Sequence, residues 1–399
     1  MAPTADDFRA RLRAAWARSD AIFSWIAPEA LLDRPIALRH PFVFYLGHLP
    51  AFAWNQIAKG VLGRGALDAG FDVLFERGID PADETAAATT VRAAWPERAA
   101  IERYRDRVRE AILAAVDGVL AIGASDVLAE RGRVLSLVLE HEWMHHETLL
   151  YMVQALRHDR KRPPPGWDAT LAPSPIEGSS APRPISPGRV VLGARFEEVD
   201  FGWDNEFPET PVDVAAFEID AVPVRNAAFA RFVDAGGYAR RELWDAEGWA
   251  WRERAGMAAP IGWSGEGVKR RVRALFADVP WAKARDWPAS VSYAEATAFA
   301  RFVGRRLPTE PEVRRAAAAF DVAGNGWEWT STPFAPFPGF TAWARTYPGY
   351  SADFFDGRHR VLLGHSFATE PALRRPSFRN WFQPHYPYVF SKFRTVRET

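Results

Sequence analysis

The chain has 399 residues, 48% of them apolar and 25% charged, with 50 Lys+Arg against 50 Asp+Glu. That is ordinary globular composition with room for two or three domains, so wholesale disorder is excluded. With no basic excess, neither nucleic acid nor an anionic membrane is expected as a partner. No apolar run approaches the ~20 residues of a membrane helix. No secretory signal is visible at the start, so a soluble cytoplasmic protein is expected. Cysteine is absent, which excludes disulfides, thiolate metal sites and thiol nucleophiles from within the chain.

Four helices are predicted in the first 160 residues. Asp6 to Ile26 places Phe8, Leu12, Ala15, Ile22 and Trp25 on or near one side, and Pro41 to Lys59 is strongly apolar with Gly60 as a stop. Pro96 to Gly118 carries a stripe of Ile101, Tyr104, Val108, Ile112 and Val116, and Ser125 is the expected cap of a fourth helix running to Arg157. Together they suggest a four-helix bundle over residues 1–160, with a long connection around 61–95 of the kind that often carries function. Residues 161–187 are rich in Pro and Ser and read as a linker of polyproline character. In 188–399, strands are expected at 190–193 and 212–219 and a short helix at 224–233. Capping boxes at Ser292/Glu295 and Thr309/Glu312 open two more helices. The rest is Gly, Pro and aromatic residues, so this half reads as an irregular α+β domain that holds most of the 17 Trp.

Chemistry concentrates in Glu140-His141-Glu142-Trp143-Met144-His145-His146-Glu147. Residues four apart share a helix face, so His141 and His145 stack one turn apart, in line with Leu137 and Leu149 and therefore toward a core. Two core imidazoles at that spacing are better explained by one shared ion than by two separate hydrogen-bonded rings. His48, in Gly47-His48-Leu49-Pro50 on the other very apolar helix, is the expected third ligand, and the nearby Pro suggests a helix locally opened. His40, just before Pro41, reads as a loop-end residue and His146 as a surface or supporting group. An all-imidazole set suits zinc, iron, copper or nickel, and open positions suit ferrous oxygen chemistry. His-Glu-x-x-His also matches a zinc hydrolase with Glu142 as general base, which wants a third ligand on a nearby downstream helix; here Glu147 follows within the same helix, and after Asp159 the chain enters the Pro-rich segment.

These residues resemble the ergothioneine-type non-haem iron sulfoxide synthases, including their selenoneine synthase branch. His48, His141, His145 and Glu147 are similar to the DinB-like helical half of that family. Trp203-Asp204-Asn205-Glu206-x-Pro208, Val224-Arg-Asn226-Ala-x-Phe229, Arg306-Leu-Pro-Thr-Glu310 and Gly324-Asn-Gly-Trp-Glu-Trp329 resemble a C-type-lectin-like formylglycine-generating-enzyme (sulfatase-modifying) domain. Arg375-Pro-Ser-Phe-Arg-Asn-Trp381 resembles the tail segment specific to the synthases.

The resemblance implies an oxidoreductase that holds Fe(II) and uses O2 to join a thiol or selenol donor to the imidazole C2 of hercynine. It implies that Asn380 and Trp381 hold the trimethylammonium group, an assignment consistent with the affinity of an aromatic face for a quaternary ammonium. These residues would then have to share a crevice with the three His. Phe382 and Tyr386 stand where mycobacterial-type members carry an Asp and an Arg for γ-glutamylcysteine, and Met144 stands where a Gln contacts hercynine. Losing those charges points away from γ-glutamylcysteine and toward free cysteine or a selenosugar. A family proton donor is expected at Tyr347 or Tyr350, with Tyr386 and Tyr388 as rivals. A non-catalytic lectin-like binding protein is the further alternative.

Overall fold

The computed structural model describes residues 3–76, 95–319, 324–343 and 350–398. Chain contacts divide it into two compact units, Met1–Pro165 and Gly166–Thr399.

The first unit is helical. Helix α1 (Ala5–Ser24) opens with a Thr4/Asp7 capping box and buries Phe8, Leu12, Ala15, Trp16, Ser19, Ile22 and Phe23. Helix α2 (Phe42–Trp54) is buried at every position and runs into a π-helical turn, Asn55–Lys59. A helix apolar on all sides has no solvent face, so it becomes the centre of the bundle. Pro50 lies inside it, and the missing N–H leaves the Leu46 carbonyl without its usual partner. Helix α3 (Ala69–Leu74) lies in the connection read as an irregular loop. Helix α4 (Arg98–Ile122) buries the expected stripe, and α5 (Arg133–Ala155) carries the histidines.

The start of α5 corrects the sequence reading. Ser125 ends a short 3-10 turn, and a second such turn at Glu130–Gly132 separates it from the helix. Arg131 and Gly132 both have positive φ (55° and 66°), so the helix cannot run through them. Gly132 is held against Phe8, whose ring would lie 2.6 Å from an added Cβ.

The second unit mixes short helices with small sheets. Strand β1 (Pro182–Ile185) pairs antiparallel with β4 (Phe217–Asp220), which also pairs with β12 (Val396–Glu398). Part of the segment read as linker is therefore sheet, because its prolines sit on an edge strand that need not donate to a second neighbour. Strands β2 (Gly188–Leu192) and β3 (Thr210–Val214) form a hairpin. Strands β5 (Trp263–Ser264), β6 (Arg271–Arg273) and β7 (Asp278–Pro280) make a small meander.

The sheet that matters for the site has the order β10 (Asn380–Phe382), β9 (Arg360–His365), β8 (Gly326–Pro333), β11 (Ser391–Lys392). Helices α6 (Asn226–Asp234), α7 (Ala246–Arg254), α8 (Tyr293–Phe302) and α9 (Glu310–Ala317) all precede these strands in sequence. The boxes at Ser292/Glu295 and Thr309/Glu312 cap α8 and α9 as expected. Ile185, Val214, Phe217, Ile219, Val313, Phe334, Val361 and Leu363 form one core, and Trp381 packs against it. No helix among the described residues is long and apolar enough to cross a membrane.

Candidate metal centre

Helices α2 and α5 bring His48, His141 and His145 together, with one nitrogen from each within 4.8 Å of the others. The Nε2 atoms of His141 and His145 are 3.2 Å apart. Two imidazole nitrogens bound to one ion at about 2.0–2.1 Å would be separated by about 3.0–3.4 Å, so the pair is already at chelating distance. His48 Nδ1 lies 2.8 Å from the Phe75 carbonyl. A carbonyl only accepts, so Nδ1 carries the proton and Nε2 keeps its lone pair, the arrangement usual for a metal-bound His. Phe52 stacks on His141 with ring centroids 3.6 Å apart, fixing its plane.

Burial pulls the His48 pKa down to about 4, outweighing the Phe75 bond. Burial, then mutual repulsion within the trio, holds His141 well below its ordinary range. Burial, then the charge of His48 and Arg39, does the same for His145. All three are neutral donors at pH 7. His145 Nδ1 is buried with no hydrogen-bond partner among the described residues. A set of neutral, converging nitrogens fits a divalent transition ion. His48 and His141 are fully buried, whereas His145 and the neighbouring Met144 keep some accessible surface.

Glu142 does not join this set. Its carboxylate accepts a hydrogen bond from Ser19 on α1, and Ser19 Oγ is also 2.8 Å from His146 Nε2. Glu142 and His146 are four apart and share a face turned about 100° from that of His141 and His145. The α1 side is where a zinc hydrolase would not put its general base. His146 is 3% exposed, so of the two expectations, a surface or a supporting group, the surface one fails, and burial, then Arg18, drives its pKa to about 3. His40 precedes Pro41, the N-cap of α2, and packs on Phe44 at 4.2 Å.

Gly47, one residue before His48, faces Phe75. An added Cβ would sit 2.5–2.6 Å from three atoms of that ring, which is buried beside Phe44, Phe71 and Trp95. The Gly47→Ala substitution is expected to lower stability by about 1–3 kcal/mol through overpacking. Urea denaturation would check this, and an unchanged midpoint would contradict it.

The remaining expected site residues lie in the second unit. Trp381 stacks on Phe334 (4.2 Å, 7°) and meets Tyr350 edge-on at 5.2 Å. Tyr350 in turn stacks on Trp203 of the Trp-Asp-Asn-Glu motif at 4.1 Å. Asn380 and Phe382 alternate with Trp381 along β10 and so project to its other face. Asn380 Oδ1 accepts from the Trp381 backbone N–H at 2.9 Å. Phe382 stacks on Tyr386 at 5.0 Å, and the buried Tyr386 meets Tyr388 at 5.2 Å. Tyr347 lies outside the described residues.

Comparison with known proteins gives the same two halves. Residues 11–149 match the DinB superfamily, and residues 183–320 and 318–399 match the sulfatase-modifying factor enzyme 1-like domain. "Hercynine oxygenase" of Mycobacterium tuberculosis is 33% identical over 79% of this chain and 82% of its own length. That of Mycolicibacterium thermoresistibile is 32% identical over 90% of this chain and 87% of its own. The chain belongs to the hercynine oxygenase family, the ergothioneine-type sulfoxide synthases. It is an enzyme of the oxidoreductase class. "Ergothioneine biosynthesis protein 1" of Neurospora crassa is 28% identical over 99% of this chain, which spans 58% of that protein's length.

The family likeness was legible in the motifs, but Ser19 and His146 were not flagged as a buried pair. A lone Ser inside the apolar stripe of α1, opposite a Glu-x-x-x-His spacing on α5, was the available signal.

Proposed function

We propose that this chain uses Fe(II), held by His48, His141 and His145, and O2 to join a thiol or selenol donor to the imidazole C2 of hercynine. The observation that carries it is the convergence of three buried imidazoles, one nitrogen of each within 4.8 Å of the others and two of them 3.2 Å apart. For a thiol the balance is hercynine C2–H plus R–SH plus O2 giving the C2–S(O)–R sulfoxide plus water. The C–H and S–H bonds break, a C–S bond forms, and the two hydrogens leave with one oxygen atom. Ferrous iron, when bound, would supply the redox chemistry that couples O2 to this change.

The chain's own residues would bind and orient. Trp381 would offer the aromatic face that a trimethylammonium, unable to donate hydrogen bonds, favours, and Asn380, on the opposite face of β10, would steady Trp381 through its backbone N–H. Tyr350, set against Trp381, is the described candidate for a proton donor. Phe382 and Tyr386 form an uncharged stack, which supports a donor with fewer charges than γ-glutamylcysteine. Met144 would line the approach beside His145.

Mass spectrometry of anaerobically Fe(II)-loaded protein, exposed to O2 with hercynine and either cysteine, γ-glutamylcysteine or a selenosugar, tests this. Oxygen uptake with a hercynine adduct of at least one donor is expected. Absence of uptake with all three would refute the proposal.

A further inference from the structure

We propose that Asp72 is a positioning residue for His48, acting through the Phe75 carbonyl to keep Nε2 free for the metal; this rests on the assignment of His48 as a ligand. The Phe75 carbonyl that receives the His48 Nδ1 proton ends α3, at its C-cap. Six residues are too few for a helix to hold its own shape in water. Something else must fix the direction of its last carbonyls.

Asp72 does this from one turn upstream. It is 0% exposed. Its Oδ1 accepts the Tyr104 hydroxyl of α4 at 2.7 Å, and its Oδ2 lies 3.6 Å from Lys59 Nζ. Its backbone carbonyl accepts from Asn55 Nδ2 at 3.1 Å. Asn55 and Lys59 are the two ends of the π-helical turn that closes α2, so α3 is tied to the ligand-bearing helix and to α4 at once. Asp68 caps the same helix through the Phe71 N–H at 3.1 Å.

A buried carboxylate is expensive to place, and an apolar side chain of similar size would fill the space at lower cost. The feature this carboxylate serves is orientation. With α3 released, the Phe75 carbonyl would turn away from Nδ1. The His48 ring could then carry its proton on Nε2, where it blocks ligation.

The test uses the full-length chain and the variants Asp72→Ala, Asp72→Asn and Tyr104→Phe. In metal-free protein, long-range 1H–15N NMR should show His48 protonated at Nδ1 in the wild type and shifted toward Nε2–H in Asp72→Ala. Anaerobic Co(II) titration should show affinity weakened about 10–100-fold with an altered visible spectrum, as for other groups that orient metal-bound histidines. Asp72→Asn keeps an acceptor for Tyr104 and should recover most of the affinity. Tyr104→Phe preserves the packing and should move both readouts in the same direction by less, which covers the case of Asp72→Ala failing to fold.

Wild-type tautomer, affinity and spectrum in folded Asp72→Ala, with only a lower melting temperature, would overturn the proposal. A wild-type chain that takes up no Co(II) would sink the metal assignment beneath it. The NMR arm separates the two, because it reads the His48 proton with no metal present.

Discussion

Replacing His145 with Leu is expected to abolish the rise in melting temperature that Fe(II) or Co(II) gives the wild type, while leaving the metal-free protein no less stable. The two halves of this result have separate causes. An ion that binds only the folded chain stabilises it by about 4 kcal/mol at 1,000 times its dissociation constant. His145 supplies one of the converging nitrogens, its Nε2 3.2 Å from that of His141. Without it only His48 and His141 remain, and a two-imidazole site holds an ion far more weakly.

In the metal-free chain the same ring is a liability. Burial already forces it neutral, and Nδ1 is buried without a partner among the described residues. An unsatisfied buried polar atom costs about 1–3 kcal/mol, and Leu removes that cost at good helix propensity. Turnover should fall by more than the about 10–100-fold typical of changes outside the ligand set. Scanning calorimetry of both proteins, with and without metal under argon, decides it. An equal metal-induced shift in the variant would show that His145 is not a ligand.

The histidine site was readable because helical periodicity places side chains without any tertiary information. Spacing of four put His141 and His145 on one face, and the apolar Leu137 and Leu149 on that line said which way they point. His48 followed from the strongly apolar composition of α2. What spacing could not supply was which partner each ring's second nitrogen meets. The Phe75 carbonyl lies 27 residues from His48, on a helix too short to show a period. Asp72 likewise carries no local signal, since its partners Tyr104 and Lys59 arrive from other elements. Ser125 misled because it is a good cap by residue type, whereas the backbone at Arg131 and Gly132 decides where α5 can begin. In the second unit the two capping boxes read correctly because they are local. Strand β1 did not, because its pairing with β4 is a long-range contact and its prolines resemble a linker. The tail segment was recognisable as a motif, but how it is held in place was not.

That anchoring yields the second large effect: Arg375→Met is expected to destabilise the second unit by about 3–5 kcal/mol, the usual cost of leaving one member of a buried ion pair behind. Glu206 is 1% exposed. Its carboxylate accepts from Arg375 through Nε at 2.8 Å and Nη2 at 2.5 Å, from Ser377 Oγ at 2.7 Å, and from the Trp203 backbone N–H at 2.7 Å. The fork-to-fork geometry makes Arg375 irreplaceable by a point charge. Met retains the unbranched apolar stem, so the loss isolates the guanidinium. The same two motifs meet again at Arg379, which donates to the Asn205 carbonyl at 3.2 Å and to Glu310 at 3.2 Å. Residues 375–379 are thus clamped to the Trp-Asp-Asn-Glu turn immediately before β10 presents Asn380 and Trp381. Loosening that clamp should also raise KM for hercynine more than it lowers kcat. Pairing Arg375→Met with Glu206→Gln should restore much of the stability, because the uncompensated charge disappears with its partner. Urea unfolding followed by Trp fluorescence measures all three variants, and a single-variant cost below about 1 kcal/mol, the range of exposed pairs, would show that the ion pair does not hold the tail.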